Sequence, residues 1–151
     1  MENDNYFYDI DARSVTSLEA LREGRYLTEI SHFEEGVLNN FTSVHSMNFS
    51  GMTALGSDNE YSILDISDLT ELTSINVSGT QVKGIKIKED RYSGLRTISY
   101  SDVTTSVQLI NQTLLTTVNI PEAALDTLED LVIDSCDSLE EITWVRNNNN
   151  N

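Results

Sequence analysis

Residues 115–144 read LTTVNIPEAALDTLEDLVIDSCDSLEEITW. Three times the stretch writes an apolar residue, two others, an apolar residue, one other and an apolar residue. The hits are Leu115/Val118/Ile120, Leu128/Leu131/Ile133 and Leu139/Ile142/Trp144. The last two members of each triplet lie two apart, the period of a strand with one buried face. The same phrase stands upstream at Val44/Met47/Phe49, Tyr61/Leu64/Ile66, Leu72/Ile75/Val77, Val82/Ile85/Ile87 and Leu95/Ile98/Tyr100. Thr104/Val107/Leu109 is a weaker copy.

The triplets end at 49, 66, 77, 87, 100, 109, 120, 133 and 144. Single steps are uneven, but every second end is 20 to 24 residues on once the first gap is passed. That predicts a solenoid of coils of about 22 residues with two strand segments each, inside the range of known solenoid repeats. One ladder holds 72–77, 95–100, 115–120 and 139–144. The other holds 61–66, 82–87, 104–109 and 128–133. Between segments lie short polar connections, SGTQ (78–81), KEDRYSG (88–94), SDV (101–103) and DSCDS (134–138), which leave no room for long helices. Pro121, the only proline, falls just past a strand end, where its missing N–H costs no ladder bond. One coil cannot bury its own apolar face. Stacked coils share a core, and each inward Ile, Leu or Val contributes about 1.5–3 kcal/mol when fully buried.

The expected organisation is an N-terminal segment (1–43), the solenoid (44–146) and a disordered Asn tail (147–151). Within the first segment Thr16 and Glu19 form a capping box and Gly24 a stop, so a short helix over 17–23 is predicted to lay Leu18 and Leu21 on the first coil. YLTEISH (26–32) repeats the phrase imperfectly, with His32 in the third slot.

Composition narrows the function. Nine basic against 25 acidic residues give a net charge of −16, which repels nucleic-acid phosphates and anionic lipid. A single cysteine, Cys136, cannot build a disulfide framework. No apolar run approaches the length of a membrane span, and the acidic start MENDNYFYDIDARS is unlike an export signal. The expected compartment is therefore the cytoplasm or a virion, with the cell surface open to a fragment of a longer chain. Asn-x-Ser/Thr matches at Asn40, Asn48, Asn76 and Asn111 read as chance in an Asn/Ser/Thr-rich chain.

LTSINVSGTQVKGIKI (72–87), LTTVNIP (115–121) and DSCDSLEEITW (134–144), over about residues 60–146, resemble the leucine-rich repeat variant of BspA-like proteins. The family's G-x-x-A-F segment is absent, and a second strand stands in its place. The resemblance implies a binding solenoid of surface-exposed and adhesive proteins, with no catalytic residues to carry over, and Cys136 in a structural slot.

Chemistry finds little purchase. His32 reads as an inward or capping residue and His45 as an outward one, and neither has metal-ligand spacing. Asp9 and Asp11 form only D-x-D, short of a calcium loop. The acids Asp126, Glu129, Asp130, Asp134, Asp137, Glu140 and Glu141 read as a solvated end. No catalytic residue, cofactor or metal is expected. What stands out is an outward polar row, Ser74, Asn76, Thr97, Ser99, Thr117, Asn119, Glu141 and Thr143, together with Trp144 on an uncapped final coil. The expected function is a non-enzymatic protein-interaction or adhesion module. The alternative is a structural subunit of a large assembly such as a phage virion or appendage. The expected partner is another protein subunit, basic at the contact, within a possible oligomer or larger assembly.

Overall fold

The computed structural model describes residues 17–19, 21–22, 25–26, 28–34 and 36–146. Among them, twelve short strands follow in chain order. They are β1 (Ser17–Glu19), β2 (Leu21–Arg22), β3 (Arg25–Tyr26), β4 (Ser46–Asn48), β5 (Ile63–Asp65) and β6 (Ser74–Asn76), then β7 (Gly84–Lys86), β8 (Thr97–Ser99), β9 (Ser106–Ile110), β10 (Thr117–Pro121), β11 (Asp130–Asp134) and β12 (Thr143–Val145). Among the described residues only short 3₁₀ helices interrupt them, at Leu38–Asn40, Asn59–Tyr61 and Glu122–Asp126. Parallel stacking of these strands makes a β-solenoid of about four turns, each of about 24 residues. The turn is slightly longer than the expected 22 because the connections at 50–60 and 121–127 are long.

The first ladder is a six-stranded sheet in the order β1-β4-β6-β8-β10-β12, with every pairing parallel. Its register runs through the middle of each phrase: Met47, Ile75, Ile98 and Val118 stand one above another. All four are at most 1% exposed. The flanking positions of β4, β6, β8 and β10 point outward and are half-buried. Burial of alternate residues is what fixes this register, since a slip of one residue would turn the whole apolar row to water.

Among the described residues of 17–23 the expected helix is absent, and strands stand in its place. Residues 17–19 are strand β1, whose Leu18 pairs with Met47 and is buried. Leu18 does cover the first coil, but as a strand, because the edge of β4 needs backbone partners that a helix cannot supply. A helix of seven residues would also be marginal alone. Leu21–Arg22 and Arg25–Tyr26 pair antiparallel as β2 and β3, and the described residues 28–32 of the imperfect phrase form no strand. The capping-box Thr16, the segment before it and the Asn tail lie outside the described residues.

The second ladder is broken, contrary to the continuous stack expected. β5 pairs with β7 and β9 pairs with β11, as two separate two-stranded sheets. β7 and β9 begin together, for the amides of Thr105 and Ser106 both donate to the Lys83 carbonyl, and then part. The cause is the turn after Ile87. KEDRYSG spans seven residues (88–94) where the corresponding turns at 67–71, 110–114 and 134–138 span five. Gln112 fills the space this opens. Its side chain is fully buried, and its Nε2 donates to the carbonyls of Lys88 (2.6 Å) and Ile110 (2.9 Å). The matching slot holds Leu69 and Cys136 in other coils.

Turns are made by side chains. In the two successive phrases N-F-S-G (48–51) and N-V-S-G (76–79), the Asn Oδ1 accepts from the amide and hydroxyl of the Ser two residues on. Gly51 and Gly79 follow with φ of +89° and +76°. Gly56 is held more tightly. At φ +89°, a Cβ there would stand 2.6–2.7 Å from the backbone of Gln81 and Val82.

Candidate docking surfaces

The outward face of the first ladder is the polar surface anticipated from sequence. Ser46, Ser74, Thr97, Thr117 and Glu141 form one row, and Asn48, Asn76, Ser99, Asn119 and Thr143 the other. From β4 to β10 these rows carry no charged residue. Ser74, Asn76, Thr97, Ser99, Thr117 and Asn119 are half-buried against one another, and only Glu141 and Thr143 of the terminal coil are exposed. Part of the row is already committed internally. The Oδ1 of Asn76 holds its turn, and Asn119 Nδ2 donates to Ser99 Oγ at 2.9 Å. The Asn48 and Asn76 sequon matches are thereby explained as turn formers.

The terminal coil differs in kind. β12 is outermost in the six-stranded sheet and β11 outermost in its pair. Val107 and Leu109 are fully buried, whereas their register partners Leu131 and Ile133 are 44% and 38% exposed. Ile120 is buried, while its partner Trp144 is half-buried, packed on the core from one side only. Leu128, Leu139 and Ile142 share that half-covered state. Among the described residues no further coil stands over them.

The backbone repeats the message. The carbonyls of His45, Thr73 and Arg96 each accept from the coil that follows. The amides of Phe49, Val77 and Tyr100 each donate to it. By register, the next carbonyl in that series on the open side belongs to Glu140 and the next amide to Trp144. An outermost strand presents such groups in a row, ready for another strand.

Charge is distributed unevenly. Residues 97–145 contain no Lys or Arg and nine acids, while five of the nine basic residues lie between Lys83 and Arg96. On the terminal coil Glu129, Asp130, Asp134, Asp137, Glu140 and Glu141 are all exposed. The nearest described ion pair is Arg146 with Glu122, at 3.9 Å between two well-exposed side chains. On the β5–β7 side, burial pushes the Asp65 carboxyl up, but hydrogen bonds from Ser67 and the charge of Lys86 outweigh it and leave it below its ordinary value.

The residues weighed for chemistry are dispersed. His32 is half-buried, stacked on Tyr61 at 4.3 Å, with Glu34 3.3 Å from its Nε2. It lies beside the solenoid and not in an inward slot of a coil. His45 is exposed and meets the Glu71 carbonyl through Nδ1 at 3.2 Å. The Cys136 thiol is half-buried on the open coil and donates to the Leu109 carbonyl at 3.4 Å. Among the described residues no group of three His, Cys, Asp or Glu side chains could hold a metal ion, and no helix is long and apolar enough to cross a membrane. Asp9 and Asp11 lie outside the described residues. One shallow groove runs past Ile63, Gly84, Lys86, Lys88 and Gln108 where the second ladder parts. A second lies beside Phe33, Leu38, Leu55 and Tyr61.

Fold and surface together define a parallel β-solenoid in which, among the described residues, no coil stacks over the one at 128–145. No protein-family model, curated protein or solved structure matches the chain.

Proposed function

We propose that this chain is a non-enzymatic protein-interaction module that docks through its terminal coil onto another protein subunit. One observation carries the reading: the inward row that is fully buried at Val107 and Leu109 becomes exposed at Leu131 and Ile133, in register and one coil on. An apolar row that is buried in one coil and open in the next supports an interaction site, because stacked coils are stable through their neighbours. The polar face of Ser74, Asn76, Thr97, Ser99, Thr117 and Asn119 is the lesser candidate, since several of its groups are satisfied within the sheet. Its exposed margin, Glu141 and Thr143, joins the docking end. The similarity to BspA-like repeats supports a binding role on the same footing. Service as a structural subunit of a large assembly, of the virion or appendage kind, would use the same open end.

The test is the size of the complex in the native source. Wild-type chain should sediment with a partner, and Ile133→Asp, placed on the open row, should release it as a folded monomer. A wild-type chain that runs alone, or a variant that stays in the complex, would overturn the reading.

A further inference from the structure

The geometry points to a basic protein partner that adds strands in parallel to β12 and β11, its Lys or Arg side chains meeting the carboxylates of the terminal coil. This rests on the docking reading above and names the partner's chemistry. Three observations converge on it. First, the open groups alternate as a strand requires. The Glu140 carbonyl and Trp144 amide face outward along β12, and Ile142 and Trp144 offer apolar positions two apart. An incoming strand that places an apolar residue on each and polar residues between them would continue the solenoid by one row.

Second, the rim is of one sign. Six exposed carboxylates surround the apolar row, and the segment that carries them contains no Lys or Arg. None has a described ion pair. On docking, Lys or Arg of a partner would meet these carboxylates favourably and speed association.

Third, the same rim opposes a second copy. Two molecules meeting end to end would bring two rims of the same negative sign together, with Glu140, Glu141, Asp134 and Asp137 on each. Charged residues on an exposed edge are a known block to pairing of like with like. A partner with interspersed Lys or Arg removes that repulsion, so the edge selects by charge which strand it admits.

Trp144, the only tryptophan, sits on this edge and reports on it directly. The probe is a synthetic strand peptide with Ile and Val at alternate positions and Lys between them, N-methylated along one edge so that it cannot stack on itself. Its counterpart carries Glu in place of Lys. The Lys peptide should bind the full chain, shift Trp144 emission to the blue and lose affinity about tenfold in high salt. The Glu peptide should not bind. Reversal of the rim by Glu140→Lys with Glu141→Lys should exchange the two preferences, and Glu140→Gln with Glu141→Gln should weaken the Lys peptide without admitting the Glu peptide. All four substitutions fall on exposed side chains, and melting curves check that the fold is kept. Equal binding of both peptides, or binding of the Lys peptide with Trp144 emission unmoved, overturns the inference. So does a dimer held through this end, in which case the occupant is a second copy. If Ile133→Asp releases the native complex but the Lys peptide fails, the docking site stands and the partner's chemistry is wrong. If Ile133→Asp leaves the complex intact, the docking site itself is wrong.

Discussion

Leu109 and Ile133 stand opposite each other in the β9–β11 register, yet Leu109 is fully buried and Ile133 is 38% exposed. The two share a position in the repeat and differ only in what lies above them. Leu109→Asp should therefore cost about 3 kcal/mol or more, because an unpaired carboxylate would be enclosed in the stack. Ile133→Asp should cost about 1 kcal/mol or less, since its carboxylate reaches water. Chemical denaturation of the two variants checks this, and equal losses would mean that the end is covered.

The first ladder allows a parallel comparison across the sheet. Ile98 and Val118 are at most 1% exposed, while their neighbours Ser99 and Asn119 face outward. Ile98→Asp or Val118→Asp should prevent folding or lower the melting temperature by tens of degrees. Ser99→Asp or Asn119→Asp should lower it by only a few, including the lost Asn119–Ser99 hydrogen bond. Similar losses at both kinds of position would place the inward face one residue off.

Gln112 anchors the seven-residue turn at 88–94. Gln112→Leu keeps most of the buried volume but strips the Lys88 and Ile110 carbonyls of their donor. The expected cost is about 1 kcal/mol, because two half-buried carbonyls lose a donor while the buried Gln112 Oε1, which has no hydrogen-bond partner, is removed. Amide exchange should quicken in 88–94 before it does elsewhere. Exchange unchanged in that turn would show that Gln112 does not anchor it.

Tyr100 gives the chain an alkaline limit. Burial pushes its phenol above the ordinary value of 10.0, with charge on Cys136 adding to the rise. A group whose folded pKa is raised contributes stability that is complete below the unfolded value and is lost as pH climbs beyond it. Above about pH 10, phenolate absorbance from Tyr100 should thus appear together with unfolding. Tyr100→Phe should remove that component and flatten the loss of stability with alkali. A Tyr100 that ionises while the chain remains folded would contradict its burial.

Much of this architecture could be read from the order of residues. The triplet spacing marked the segments and the buried positions, because each coil repeats the same need to bury alternate residues. It also marked Leu128/Leu131/Ile133 and Leu139/Ile142/Trp144 as core-facing, and these are the copies that the structure leaves partly exposed. Three features escaped. The capping box at Thr16 and Glu19 pointed to a helix, but residues 17–19 gain more as a sixth strand, since β4 offers unpaired backbone groups that local propensity cannot weigh. The break between β7 and β9 comes from two extra residues in 88–94, a length difference visible in the sequence but silent about whether the coil would absorb it. Gln112 was missed because a polar residue in a polar connection gives no sign that it is buried. Its place three residues after Leu109, matching Cys136 three after Ile133, was the one available hint.

Docking through the terminal coil is tested most directly by hydrogen–deuterium exchange of the isolated chain against the chain in its native complex. Alone, the amides of β11 and β12 should exchange faster than those of β8 and β10. In the complex, new protection should fall on 128–134 and 139–146 and leave the face of β4, β6 and β8 unchanged. Protection that gathers on β4, β6 and β8, with the terminal coil exchanging as fast as before, would contradict it.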